Sequence, residues 1–375
     1  MHHLFYLFIC ILLLTSCGES RKTKSKQVEV APSEATATSN APKYIKSVQI
    51  HSPRRNDTCS FGQVLEIGFS RSGHLPVDSS HVFFNNELIA QLDSNAWKYT
   101  YPIPEGKCGN NTLKVITFHP GNKRGVATLP IVVKPAREAE RLTHRVVKHF
   151  PHDTKAYTQG LVFHDNYLYE GTGQYGFSSL RKIDLQQNKV LSSLGLESNF
   201  FGEGVTIYKD QIYPLTWKAR KGFVYNLNTF SLENTFSYST QGWGLTTVGD
   251  QLVMSDGSHR LYFLHPETFG VQRTIEVYDH NGKVENLNEL EYINGLIWAN
   301  VWLSDRIVVI DPRTGAVKAD LLLPNLLSPA EKSRLDEDDD VLNGIAYNPT
   351  TGNVYVTGKR WPKLFELTIP NMPKP

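Results

Sequence analysis

Cysteine and methionine are scarce in this chain, at four and three residues. The cysteines form no Cys-x-x-Cys pair and no cluster with histidine, and there is no His-Glu-x-x-His segment, so a zinc site has no motif behind it and no cofactor is expected. Excess charge of either sign is absent too: 39 Lys and Arg against 37 Asp and Glu leave a formal net charge of +2. No basic stripe interleaved with aromatics occurs, which excludes nucleic acid as a partner. The apolar run Leu4 to Leu14 is too short to span a bilayer. Against these absences, 375 residues at 40% hydrophobic and 11% aromatic suffice for one large packed domain and a smaller one.

The leading apolar run ends in Leu14-Thr-Ser-Cys17, which reads as a signal peptide over residues 1–17. A small residue directly before a cysteine resembles the lipobox of bacterial lipoproteins, which implies a lipidated Cys17 as the mature N-terminus. His2 and His3 stand where Lys or Arg is usual, and this leaves an ordinary cleaved signal or an uncleaved anchor as alternatives. The expectation is an exported protein, lipid-anchored at the periplasmic or surface face of the cell envelope. Residues 18–42, rich in Lys, Ser, Thr, Ala and Pro, read as a flexible tether to that membrane. Loss of the leader removes Cys10, so Cys59 and Cys108 remain in an oxidising compartment as either a disulfide or two buried thiols.

Residues 43–137 carry short alternating runs, such as Val64-Leu-Glu-Ile and Thr112-Leu-Lys-Val, separated by turn-rich stretches. That pattern predicts an immunoglobulin-like β-sandwich with no chemistry of its own. Beyond it a short segment recurs at Gln159-Gly-Leu-Val, Glu203-Gly-Val-Thr, Trp243-Gly-Leu-Thr, Glu289-Leu-Glu-Tyr and Asn343-Gly-Ile-Ala, spaced roughly 40 to 54 residues apart. Each copy is followed by a turn and a second strand, which carries aromatic residues in four of the five. Five copies built of strands predict an all-β fold, a five-bladed β-propeller over residues 141–371. Val146-Val-Lys-His-Phe150 lies before the first copy and is expected to complete the last blade beside Phe365-Glu-Leu. The stretch from Leu326 to Asp340, with its acidic end, reads as a solvated loop or short helix.

The innermost strands of a propeller line its channel, so the starts of the five segments should converge. This expectation gathers Gln159, Glu203, Trp243, Asn288, Glu291 and Asn343 around one pocket, and carboxylates in such a place are costly unless paired or used. Gly171-Thr-Gly-Gln-Tyr-Gly176 matches a dinucleotide-binding fingerprint in letters only. The strand-like Ser179-Leu-Arg-Lys-Ile-Asp follows it, whereas pyrophosphate needs a helix N-terminus there.

Several motifs stand in order at the repeat spacing. They are Tyr157-Thr-Gln-Gly-Leu, Glu170-Gly-Thr-Gly-Gln-Tyr-Gly, Phe201-Gly-Glu-Gly-Val-Thr, Leu215-Thr-Trp-Lys, Gly242-Trp-Gly-Leu-Thr, Ser255-Asp-Gly-Ser, Asn288-Glu-Leu-Glu-Tyr, Trp298-Ala-Asn-Val-Trp and Thr357-Gly-Lys-Arg-Trp. Over residues 145–369 the chain resembles the plant-type glutaminyl-peptide cyclotransferase family. The resemblance implies a metal-independent five-bladed propeller that converts N-terminal glutamine of peptides to pyroglutamate, with Glu203 as the essential carboxylate. It also implies a substrate pocket of Tyr157, Gln159, Phe201, Trp217, Trp243, Asn288, Trp302 and Lys359. Tyr157, Pro214 and Gln241 depart from the family pattern, the first standing where Phe is found elsewhere.

In that reaction the substrate's α-amine attacks its own γ-carboxamide and ammonia leaves. Both reactants are already tethered, so holding the folded conformer is the main gain, and the three tryptophans suit that task. A proton must move from amine to departing ammonia, which suits a partly desolvated Glu203. Gln159, Asn288 and Lys359 are candidates to orient the amide or to stabilise oxyanion charge. Two rival readings share the architecture: a calcium-dependent lactonase-type propeller, and a non-enzymatic surface propeller that captures peptide termini or glycans.

Overall fold

A computed structural model describes residues 41–373. The expected leader, its lipid-bearing Cys17 and nearly all of the expected tether lie outside the described residues. Strict alternation organises the first hundred or so described residues. In Gly109–His119 every second residue is buried, including Leu113 and Val115, as a strand with one face on a core requires. This strand runs antiparallel to Lys123–Lys134 along its whole length and continues on its other side into Ser79–Phe84 and Glu87–Asp93. Asn85 and Asn86 make the tight turn between the last two with φ of 48° and 70°, the conformation a two-residue hairpin favours and Asn tolerates. A second sheet, Val48–Ser52, Val64–Arg71 and Lys98–Pro102, covers the first. Ile67, Phe69, Val82, Leu113 and Ile131 fill the core they share.

Cys59 and Cys108 are free, buried thiols, the second of the two alternatives, and the possible disulfide is corrected. Strand Lys123–Lys134 stands between them. Cys59, in Thr58–Ser60, pairs with Val133 from one side, and Gly109, next to Cys108, pairs with Val133 from the other. Two strand spacings come to roughly 9.5 Å, beyond the roughly 7 Å that a disulfide can span between Cα atoms. Burial pushes the Cys108 thiol up to about 12.

The rest of the described residues form five sheets, antiparallel throughout except that Glu140–Leu142 joins the edge of the fourth in parallel. Their innermost strands are Thr158–His164, Gly202–Tyr208, Leu245–Val248, Leu287–Ile293 and Leu342–Asn348. The innermost strands are almost wholly buried, whereas outermost strands such as Lys189–Gly195 and Leu232–Ser237 are largely exposed. Each inner strand packs against the next, and the fifth packs against the first. Glycine permits this closeness: a Cβ on Gly204 would lie 2.6 Å from the Leu245 nitrogen, and one on Gly244 would lie 2.0 Å from the Asn288 carbonyl oxygen. Arg145–Pro151 pairs antiparallel with Lys363–Thr368 and supplies the outer strand of the fifth sheet, as expected. The glycine-rich Gly171–Gly176 stretch leads into strand Ser179–Asp184, with no helix to receive a pyrophosphate.

The N-terminal sheets are fastened to the third and fourth of the five. The Glu276 carboxylate, at the end of strand Val271–Glu276, accepts from the Asn110 backbone N–H at 2.7 Å and from Asn110 Nδ2 at 2.9 Å. The His259 imidazole and these Asn110 donors hold its carboxyl down at about 2. Gly109, with φ of 79°, leaves room for it, since a Cβ there would lie 2.0 Å from Glu276 Oε2.

Candidate active site

Two structurally equivalent positions in the repeats build the pocket. The first is a bulge near the start of the inner strand. Pairing with the second strand slips between Thr158 and Gly160, Gly202 and Val205, Leu287 and Leu290, and Leu342 and Ile345. A bulge re-aims side chains, and Gln159, Glu203, Asn288 and Asn343 occupy these slips. The second position directly follows the second strand. There Trp217, Trp302 and Lys359 donate their backbone N–H to the carbonyls of Phe201, Asn286 and Val341 at 2.9, 2.9 and 3.0 Å. The repeated bond turns each of the three over the same end of the inner strands.

The result is a cavity of about 270 Å³ with Glu203, Gln159 and Asn288 among its lining. A belt of side chains closes around it. The Trp302 and Trp243 rings meet edge to face at 5.5 Å, Trp217 and Phe201 do so at 5.5 Å, and Phe201 and Tyr157 at 5.9 Å. Gln241 joins the two halves by accepting through Oε1 from Trp217 Nε1 at 2.6 Å and Trp243 Nε1 at 3.1 Å. Lys359 closes the ring, its Nζ lying 4.8 Å from the Tyr157 centroid and 5.9 Å from that of Trp302, within reach of a cation–π attraction.

Glu203 is 5% exposed, and no side chain among the described residues hydrogen-bonds its carboxylate. Burial raises its pKa well above the ordinary carboxylate value, and the nearby Lys359 charge opposes that shift. Lys359 is shifted the other way: burial lowers it, against the pull of Glu203 and Asp339. The two groups therefore sit closer to exchanging protons than either would in water, which is the condition for acid–base work near neutral pH.

The amides around Glu203 are oriented. Asn343 Nδ2 donates to Gln159 Oε1 and to the Thr158 carbonyl, both at 3.0 Å. The Gln159 oxygen is thus engaged, and its NH2 remains as a donor for a ligand. Asn288 Oδ1 is buried with no partner among the described residues, an acceptor that an amine or amide N–H would satisfy. Behind Gln159, Thr158 Oγ1 donates to Glu170 Oε1 at 2.7 Å, and His152 Nε2 lies 2.9 Å from the same oxygen. Burial opposes charge on both groups of that pair, yet their mutual attraction holds His152 up and Glu170 down.

A model of the glutamine cyclotransferase family matches residues 124–369. The chain belongs to that family. It is 41% identical over 235 residues to the glutaminyl-peptide cyclotransferase of Arabidopsis thaliana, a match that covers 61% of this chain and 73% of that protein. It is also similar to the crystal structure of the glutaminyl cyclase of Myxococcus xanthus, at 36% identity and a TM-score of 0.58, over 62% of this chain and 98% of that one. Every residue of the cavity falls within the stretch that matches the glutamine cyclotransferase model.

Among the residues expected in the pocket from the repeats and from the resemblance to glutamine cyclotransferases, two stand elsewhere. Glu291 does not line the cavity: its Oε1 accepts from the Tyr347 backbone N–H at 3.0 Å, and burial pushes it up to about 8. The reason is strand alternation. The slip ends at Leu290, so Glu291 faces the neighbouring fifth sheet. Asn343 stands behind Gln159. Glu289, fully buried, accepts from the Leu161 N–H at 3.1 Å and the Ile345 N–H at 2.8 Å. It ties three inner strands together, and burial keeps its pKa well above the ordinary value.

Three residues went unread in the sequence. Gln174 lines the cavity from inside the discounted glycine motif. Asp339, from the acidic run expected to be solvated, also lines it, accepts from the Tyr157 hydroxyl and pairs with Arg360 at 3.1 Å. Gln241 stood out as a departure from the family pattern and nothing more. Among the described residues no group of three or more His, Cys, Asp or Glu could hold a metal ion.

Proposed function

We propose that this chain cyclises N-terminal glutamine of peptides to pyroglutamate with release of ammonia. The observation that carries the proposal is Glu203, a buried carboxylate with no hydrogen-bond partner among the described residues, inside an aromatic belt, in a chain of the glutamine cyclotransferase family. The α-amine attacks the γ-carboxamide carbon and forms the ring C–N bond. Glu203 takes a proton from the attacking nitrogen and returns one to the amide nitrogen, so that neutral ammonia leaves and the carboxylate is regenerated. The Gln159 NH2 and Lys359 donate to the amide oxygen as charge gathers there. Asn288 Oδ1 accepts from the amine and holds it in line, and the indoles keep the side chain folded.

The same reading takes the five sheets as the blades of a five-bladed β-propeller over residues 141–371, and residues 43–137 as an immunoglobulin-like sandwich docked on its flank. It keeps residues 1–17 as a lipoprotein signal, Cys17 as the lipidated residue and residues 18–42 as a tether. The enzyme would then work on exported peptides at the cell envelope. The test is ammonia release from a glutamine-initiated dipeptide, with and without EDTA, by the wild type and by Glu203→Gln. Turnover that withstands EDTA and collapses in the variant is expected. A fully active E203Q would sink the carboxylate's role.

A further inference from the structure

Most contacts in the pocket belt are ring packing or cation–π attraction, which change gradually with distance. The joint at Gln241 differs, because hydrogen bonds at 2.6 and 3.1 Å are directional as well as short. Gln241 lies between Leu232–Ser237, the outer strand of the second sheet, and Leu245–Val248, the inner strand of the third. It therefore stands where the two sheets are joined. An indole N–H can only donate, so both bonds require the amide oxygen, and the orientation of the amide follows from its partners. Each indole has a second hold on its ring face or edge: Trp217 against Phe201 and Trp243 against Trp302. With the N–H end and the ring both fixed, neither indole is free to turn.

We infer that Gln241 is a positioning residue: its single amide oxygen holds the Trp217 and Trp243 walls at the separation in which a glutaminyl side chain folds for ring closure. The residue acts through the two indoles and need not touch the substrate. This inference rests on the cyclisation reading, since the slot it sets is the slot for that side chain.

The experiment compares the full chain as wild type, Gln241→Leu and Gln241→Glu. Leu keeps the bulk and removes the acceptor, whereas Glu keeps an acceptor in the same place. Turnover and KM are measured with a glutamine-initiated dipeptide, and near-ultraviolet circular dichroism reports how firmly the indoles are held. For Q241L, kcat/KM should fall about tenfold with a raised KM, and the indole dichroism should weaken. Q241E should recover kcat/KM to within about threefold of wild type and restore the indole signal. Unchanged kcat and KM in Q241L, even with lowered thermal stability, would overturn the inference, because the residue would then be structural only. Equal losses in Q241L and Q241E would overturn it as well. A wild type that releases no ammonia sinks the cyclisation reading instead. The clamp is then judged by dichroism alone, supported by a loss confined to Q241L and refuted by no loss.

Discussion

Asn343 and Gln159, from the fifth and first sheets, share a hydrogen bond of 3.0 Å from Asn343 Nδ2 to Gln159 Oε1. It decides which end of the Gln159 amide faces the cavity. Replacing Asn343 by Leu removes the donor and should lower kcat/KM about tenfold. Asn343→Asp should do more harm, because a carboxylate draws the Gln159 NH2 toward itself and leaves an acceptor facing the substrate oxygen. Steady-state ammonia release from both variants checks the order.

The Glu203 and Lys359 pair predicts a signed pH dependence. Glu203 titrates well above the ordinary carboxylate range because it is buried, and Lys359 restrains that rise. The acidic limb of the kcat/KM profile, where the base is lost to protonation, should thus lie above the range of an exposed Glu. Lys359→Met removes the restraining charge and should move that limb to still higher pH. A limb that stays in place in K359M would show that the two groups do not interact. Replacing Glu203 by Gln should cost about 10²- to 10⁴-fold in kcat.

Glu276 fastens the N-terminal sheets through Asn110, and with His259 also beside it its folded-state pKa of about 2 lies below the ordinary 4.5. A depressed carboxylate contributes stability that is fully present above the ordinary value and is lost as pH falls through the folded one. Between pH 4.5 and about 2 the wild type should therefore lose this contribution, and Glu276→Ala should lack it throughout. The measurement is the pH dependence of denaturant midpoints for the two proteins. Their curves should converge at the acid end.

The thiols of Cys59 and Cys108 should both be alkylated in the unfolded protein without prior reduction, as read by mass spectrometry of the peptides that carry them. In the folded protein neither should react quickly, since both are buried and a thiol shifted to about 12, as at Cys108, is almost wholly protonated at neutral pH. A disulfide-linked peptide pair would contradict the strand order described for these sheets.

Much of this was legible in the chain. The five recurring segments marked the five inner strands because most repeats carry the same local features: a bulge in four of them, a glycine at the close approach in four, and a turn into a second strand in all five. Gln159, Glu203, Trp243 and Asn288 could therefore be placed at one mouth by counting alone, and the resemblance brought in Tyr157, Phe201, Trp217, Trp302 and Lys359. Composition also showed that ample core was within reach, and alternation marked the strands of the N-terminal sheets.

Other features depended on contacts that no local pattern encodes. Whether Glu291 enters the cavity turns on where a bulge ends, a matter of one residue that reverses which face a side chain takes. Cys59 and Cys108 look like partners until a strand folds between them. Asp339 sits in a run of acids that reads as solvated, and only the approach of Tyr157 and Arg360, both more than twenty residues away or on another sheet, draws it into the pocket wall. Gln241 stood out only as a departure from the family pattern, and its role comes from two indole N–H groups that meet one oxygen after distant strands have packed. The sequence by itself determined the repeat, and with it the strands and the polar residues at their starts, because those follow from periodicity and local backbone demand. Tertiary structure alone decided which of those polar groups face the cavity, which are tied off by a neighbour, and that the buried Glu203 carboxylate finds no hydrogen-bond partner among the described residues, because burial and hydrogen bonding are set by what lies across the sheet.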